Sequence, residues 1–278
     1  MSNARRYYGG TGDPYSRRGQ GAGTGRFKMF LIIGLLMAGY QVFKYFSNTQ
    51  KNPITGEEQN IQWTMEDEVG IGLQAAPQMA QQHGGLYPDE RVQKHVDDVG
   101  NRLVRNSIVQ RSQYPFDFHL LRDDQTVNAF ALPGGQVFIT AALYGRLENE
   151  DQLAGVLGHE IGHVIHRHGA ERMAKTGLIQ GLIQSVMIGS GGDASVAQVA
   201  NVVGQYTNMK YGRDQELESD DFGVRLMVEA GYDPEALIGV MDILEAASGG
   251  SRVPEFQSTH PSPENRRKMI EEAIERYE

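Results

Sequence analysis

The sequence contains no cysteine. That excludes disulfides, thiolate metal sites and cysteine nucleophiles, and any bound metal must be held by His, Asp or Glu. It also leaves the redox compartment open. No Gly-Lys-Ser/Thr follows Gly9-Gly10-Thr11-Gly12, so that glycine run is not a phosphate loop. No internal repeat is visible. Positive charge is scarce outside the N-terminus. Residues 1–28 carry six basic residues and one acidic residue, whereas residues 45–278 carry 19 basic and 34 acidic, a net of −15. An acidic body argues against a nucleic-acid partner.

What is present divides the 278 residues into an anchor and a body. Residues 1–26 are rich in Gly, Arg, Tyr and Ser with almost no aliphatics, a composition that predicts a disordered basic tail. Met29–Phe43 has no charge. Extended to residues 27–46 it is long enough to span a bilayer, at roughly 30 Å as a helix. A cleaved signal peptide shares the order of charge then apolar run, but Met37-Ala38-Gly39 is a poor cleavage site. The expectation is a single transmembrane anchor in contact with lipid. By the positive-inside rule the N-terminus is cytoplasmic and the body lies on the far side, periplasmic in a Gram-negative bacterium. Residues 47–62 read as a polar linker, and residues 63–278 as the functional domain.

Within the body, Thr64 predicts a helix cap before Met65–Gln82, and Pro88-Asp89-Glu90 opens a second helix to about Ser107. Phe116–Leu120, Val127–Leu132 and Gln136–Thr140 read as strands of a small antiparallel meander. Residues 176–192 are uncharged. They read as a core helix with a glycine-rich loop, or as a lid or membrane-dipping element. Arg213–Gly231 reads as a helix carrying Arg213, Glu216 and Asp220 on one face. Asp233-Pro234 opens the next helix, Ser248–Ser251 is a flexible break, Ser258–Pro261 a loop, and Ser262-Pro263 the start of the last helix.

The chemistry-bearing stretch is His159-Glu160-Ile161-Gly162-His163. Asn149 resembles its helix cap, and Leu153, Leu157, Ile161 and Val164 form a buried stripe. His159 and His163 then project one turn apart and can grip one zinc ion, with Glu160 placed to take a proton from an activated water. Gly155, Gly158, Gly162 and Gly169 form another stripe, and each costs about 1 kcal/mol against Ala in a helix. The expected compensation is close approach of another backbone, such as a strand laid along the site. A hydrolytic zinc site needs a third protein ligand. The metzincin spacing fails, because positions 166 and 169 are His and Gly. His166 would be an awkward third ligand, and His168 points elsewhere as a surface residue. The acidic residues of 213–220 remain, with Glu216 and Glu218 both open on the residues alone.

Four features together resemble the gluzincin family of zinc metallopeptidases that includes HtpX, the CAAX prenyl protease, and Oma-type and BepA-like proteases. They are His159-Glu160-x-x-His163; Glu216-x-x-x-Asp220; Asn128-Ala129-Phe130-Ala131-Leu132-Pro133-Gly134-Gly135; and Thr259-His260-Pro261. The resemblance runs from about residue 62 to the end. It implies an α+β, mainly helical zincin with a small antiparallel sheet, and a membrane-anchored zinc endopeptidase acting on misfolded or membrane-associated proteins. One zinc per chain is held by His159, His163 and Glu216, with Glu160 catalytic and Asp220 bonded to a ligand histidine. Asn128, Ala129, Phe130, Gly134 and Gly135 belong to the strand lining the substrate cleft. His260 either fills the open metal position or, with Arg213, stabilises an oxyanion. A non-proteolytic scaffold closed by His260 is the alternative.

Overall fold

The computed structural model describes residues 22–190, 212–247, 255–260 and 265–278. Most of residues 1–26, the glycines at 191–192, the 248–251 break and Ser262-Pro263 therefore lie outside the described residues. Helix α1 spans Ala22–Ser47, so helical backbone begins before the apolar run itself. Among the described residues it is the one helix long and apolar enough to cross a membrane.

The polar stretch 47–62 is not a linker. It folds into an antiparallel hairpin of β1 (Thr49–Lys51) and β2 (Glu58–Asn60). Its polar side chains have specific work. Asn52 Nδ2 donates to the carbonyl of Ile165 at 2.7 Å, and Gln59 Nε2 donates to that of His166. These carbonyls lie at the end of the helix that carries His159 and His163, so the hairpin acts as its C-terminal cap.

Helix α2 (Met65–Gln82) starts in a capping box between Thr64 and Asp67. Helix α3 (Glu90–Arg105) starts at Asp89 and presents Val96, Val99 and Leu103 to the core. Strands β3 (Asp117–Leu121), β4 (Ala129–Leu132) and β5 (Gln136–Thr140) form one sheet. The chain is α+β and mainly helical, but these strands are not a meander. Their order is β3-β5-β4, with β5 parallel to β3 and antiparallel to β4. All five residues of β5 are buried, as a central strand covered on both faces requires. Strand β4 is left at the edge. The β4–β5 turn uses Gly134 and Gly135 at φ +84° and +103°. A Cβ at Gly134 would also lie 2.4 Å from Val69 Cα.

A short helix α4 (Ala141–Tyr144) leads to α5 (Glu150–Ile165), capped by Asn149 and buried over most of its length. Arg167, the one non-glycine described residue at positive φ (54°), breaks the chain direction, and α6 (His168–Gly189) follows. Helices α7 (Arg213–Ala230), α8 (Ala236–Ala247), α9 (Glu255–Thr259) and α10 (Arg266–Tyr277) complete the described chain. Ser258 and Thr259, expected in a loop, thus close a short helix.

Within α5 the glycine stripe meets helices rather than a strand, whereas Gly169, in the first turn of α6, lies against Pro133 just after β4. A Cβ on Gly162 would stand 2.9 Å from Ser219 Cα, and one on Gly158 3.4 Å from Gly223 Cα. Helices α5 and α7 therefore cross in near backbone contact, closer than larger residues would allow. That crossing carries Glu216 and Asp220 to the histidines of α5.

Candidate functional site

Side chains from three helices and a following loop residue converge here. His159 and His163 come from α5, Glu216 and Asp220 from α7, Arg266 from α10, and His260 from the residue after α9. All six are at most 3 % exposed. His159 Nε2 and His163 Nε2 are 3.1 Å apart. Glu216 Oε1 is 3.4 Å from His163 Nε2, and its Oε2 is 3.5 Å from His159 Nε2. His260 Nδ1 lies 3.1 Å from Glu216 Oε1 and 3.3 Å from His159 Nε2. Donors around a tetrahedral zinc at ~2.0–2.1 Å would sit about 3.3 Å from one another. The four groups could hold one metal ion, with His260 at the fourth corner.

Proton bookkeeping supports the same conclusion. Asp220 Oδ1 sits 2.8 Å from His159 Nδ1, and a carboxylate can only accept there, which assigns a ring proton to Nδ1 and turns Nε2 toward Glu216 and His163. Asp220 is fixed in turn by a two-pronged contact from Arg266, at 2.6 and 2.8 Å. On the other flank His168 Nε2 meets Glu218 Oε2 at 3.0 Å, and His168 Nδ1 meets His163 Nδ1 at 2.9 Å. Burial pushes His168 down to about 3, so it is neutral. It donates to Glu218 through Nε2 and accepts from His163 through Nδ1. His163, held neutral by burial, then carries no proton on Nε2. A carboxylate facing two imidazole nitrogens in a dry space favours positive charge there, which a bound metal ion or a protonated ring can supply. Burial lowers the proton affinity of His159, but Asp220 and Glu216 outweigh it and raise its pKa to about 9, which expresses that demand for positive charge.

Glu160 is wholly buried beside this cluster, and neither of its oxygens has a hydrogen-bond partner in the structure. His260 Nε2 lies 3.7 Å from Oε1. Burial raises the proton affinity of Glu160, which His260 and His159 partly oppose. The His260 ring stacks on Phe256 at 4.4 Å. Strand β4 packs against α5. A narrow cleft is lined by Ala131, Leu132 and Pro133 across from His163 and Arg167. Asn128 and Ala129 are buried at the start of this strand, while Phe130 is partly exposed and stacks on Phe138 at 4.9 Å.

The sequence reading places His159, Glu160, His163, Glu216, Asp220 and His260 together, and the geometry does the same. Arg213 is not among them. It is exposed at the first position of α7, and the guanidinium within the site belongs to Arg266. His168 is buried and bonded to His163 rather than on the surface. His166 faces Glu57 and Phe222, away from the four-donor cluster. Arg266 escaped the sequence reading because one arginine among several in a charged C-terminal helix carries no spacing signal.

Two histidines one turn apart with a glutamate from a crossing helix, and a further glutamate beside them, define a gluzincin-type metallopeptidase site. Residues 90–274 match the model of peptidase family M48, and the chain belongs to that family, whose members are zinc-dependent metallopeptidases. It is 30 % identical over 245 residues to the beta-barrel assembly-enhancing protease of Yersinia pestis, covering 85 % of this chain and 50 % of the relative. It is 30 % identical over 245 residues to the mitochondrial metalloendopeptidase OMA1 of Schizosaccharomyces pombe, covering 87 % and 71 %. Against the Escherichia coli beta-barrel assembly-enhancing protease the identity is 31 % over 213 residues, covering 71 % and 42 %. The chain thus spans about half the length or less of these two bacterial relatives.

Proposed function

We propose that the chain is a membrane-anchored zinc endopeptidase of protein quality control, with α1 as an uncleaved single span and the catalytic body on the far side of the membrane from its N-terminus. His159, His163 and Glu216 would hold the zinc. Zinc supplies Lewis-acid chemistry when bound. Glu160, dry and without a hydrogen-bonding neighbour, accepts the proton of the attacking water and passes it to the departing amine. Asp220 with Arg266, and Glu218 with His168, keep both imidazoles presenting Nε2. A substrate segment adds to the open edge of β4 as an extended strand and so lies along α5 above the ligands. Unfolded or membrane-associated chains are the substrate class that can supply such a strand. The names of the relatives, one an assembly-enhancing protease and one a mitochondrial metalloendopeptidase, fit this class.

The observation that carries the reading is the set of donor separations, 3.1 to 3.5 Å, with Glu160 beside it. It also supports a closed resting state, because His260 stands where a water must enter. A purely non-proteolytic scaffold has no use for a buried glutamate at position 160. The experiment is cleavage of an unfolded protein by the full chain in detergent. Glu160→Gln should lose about 10²–10⁴-fold in rate with zinc content unchanged, and His260→Ala should raise basal cleavage. Undiminished cleavage by Glu160→Gln would refute the mechanism.

A further inference from the structure

The segment 176–190 is uncharged, whereas α6 begins with Glu171, Arg172 and Lys175. The helix is therefore divided along its length into a charged beginning and an apolar end. That apolar end runs antiparallel along α1. Gly181 meets Gln41, and four to eight residues further on Ser185 and Gly189 meet Gly34. A Cβ on Gly34 would lie 2.6 Å from the Ser185 carbonyl, so the two backbones touch.

We propose that the apolar half of α6 lies in the bilayer beside α1, making the anchor a two-helix unit with acyl chains as its surroundings. This rests on the reading of α1 as the span. If residues 28–47 cross the membrane, Gly34 is some 13 positions from the Ser47 end, or roughly 20 Å along the helix. Whatever touches Gly34 is then at hydrocarbon depth. The groove between the helices is lined by Leu31, Leu35, Ala38 and Val186, and Val186 is 54 % exposed on the surface continuous with α1.

The two serines at this end bond back to their own helix. Ser185 Oγ donates to its own helix at the Gly181 carbonyl (2.7 Å), and Ser190 Oγ donates to that of Met187 (3.0 Å). Close glycine contacts between backbones are the ordinary means of helix association where no hydrophobic drive exists. Gln180 and Gln184, one turn apart and exposed, would meet the surroundings with their amides and raise the cost of inserting this segment.

Because the chain has no cysteine, single cysteines can be placed in the full-length protein without background. Leu35→Cys, Val186→Cys and Ile188→Cys, with Glu66→Cys as an aqueous reference, would be labelled with an environment-sensitive fluorophore. Each would be reconstituted in phosphatidylcholine–phosphatidylglycerol vesicles, after cleavage of an unfolded protein confirms a native fold. Quenching by brominated acyl chains would be compared with quenching by aqueous iodide. The labels at 186 and 188 should follow Leu35, with several-fold stronger quenching from lipid than from water. Should they follow Glu66 while Leu35 stays in lipid, the two-helix anchor is wrong and the span stands. Should Leu35 follow Glu66 as well, both fall. Protection from both quenchers would mean that a second copy or another protein covers this face, and would also overturn the proposal.

Discussion

At the residue scale, each imidazole of the His159–His163 pair is steered by a different carboxylate through a different route. His159 contacts Asp220 directly, while His163 reaches Glu218 only through His168. The second route predicts a specific loss. His168→Phe keeps a ring in the buried space but removes the acceptor for His163 Nδ1–H. Zinc affinity, measured by competition with a chromophoric chelator, should fall about 10–100-fold. His166→Phe, which alters a ring outside the cluster, should leave it unchanged. The relay was not legible in the sequence. His163, His166 and His168 were visible as neighbours, but which of the two later rings returns to the site depends on the left-handed turn at Arg167, a conformation that no spacing rule assigns to arginine.

At the scale of elements, the site is a product of how closely α5 and α7 approach. Gly162→Val would place a branched side chain against Ser219, where even a Cβ would stand 2.9 Å from Cα. The helices must separate, withdrawing Glu216 and Asp220 from the histidines. Expected outcomes are a stability loss of about 1–3 kcal/mol in denaturant unfolding and loss of zinc from the isolated protein. Much of this element was legible beforehand: the Asn149 cap, the buried stripe and the glycine spacing all follow from helical periodicity. What faced the glycines was not, because a stripe of small residues reports close approach without saying by what. Polar composition misled in the same way at 49–60. Asn52 and Gln59 look like solvated linker residues, yet their amides close the end of α5. The sheet order escaped for a related reason. Alternation marks strands, but the placing of β5 between β3 and β4 is a long-range choice.

At the scale of the whole molecule, buried ion pairs tie the parts together. Arg167 donates to Glu68 of α2 at 2.7 Å, to the Trp63 carbonyl at 2.8 Å and to Gln50 of the hairpin at 3.1 Å, and Tyr114 closes on Glu68 at 2.7 Å. A second junction sets an acid limit on the fold. Burial pushes the carboxyl of Asp123 up, but the backbone of Thr126 and Gln125 and the ring of His83 outweigh it, holding its pKa at about 2 against an ordinary 3.8. A depressed carboxylate contributes stability that is fully present above 3.8 and is lost as pH falls towards 2. Asp123→Asn should therefore cost on the order of 1 kcal/mol near neutrality, and its unfolding free energy should change less than wild type's between pH 5 and 2.

Ser47 ends α1, and Thr49 already belongs to the hairpin that grips α5, while α6 leaves α5 at Arg167 and returns to the flank of α1. With α1 and the end of α6 in the bilayer as proposed, the body would be moored at two points. Its cleft would then stand at a set height above the lipid surface, and that height would work as a ruler, so that scissile bonds would be chosen by their distance from the membrane before any side chain is read.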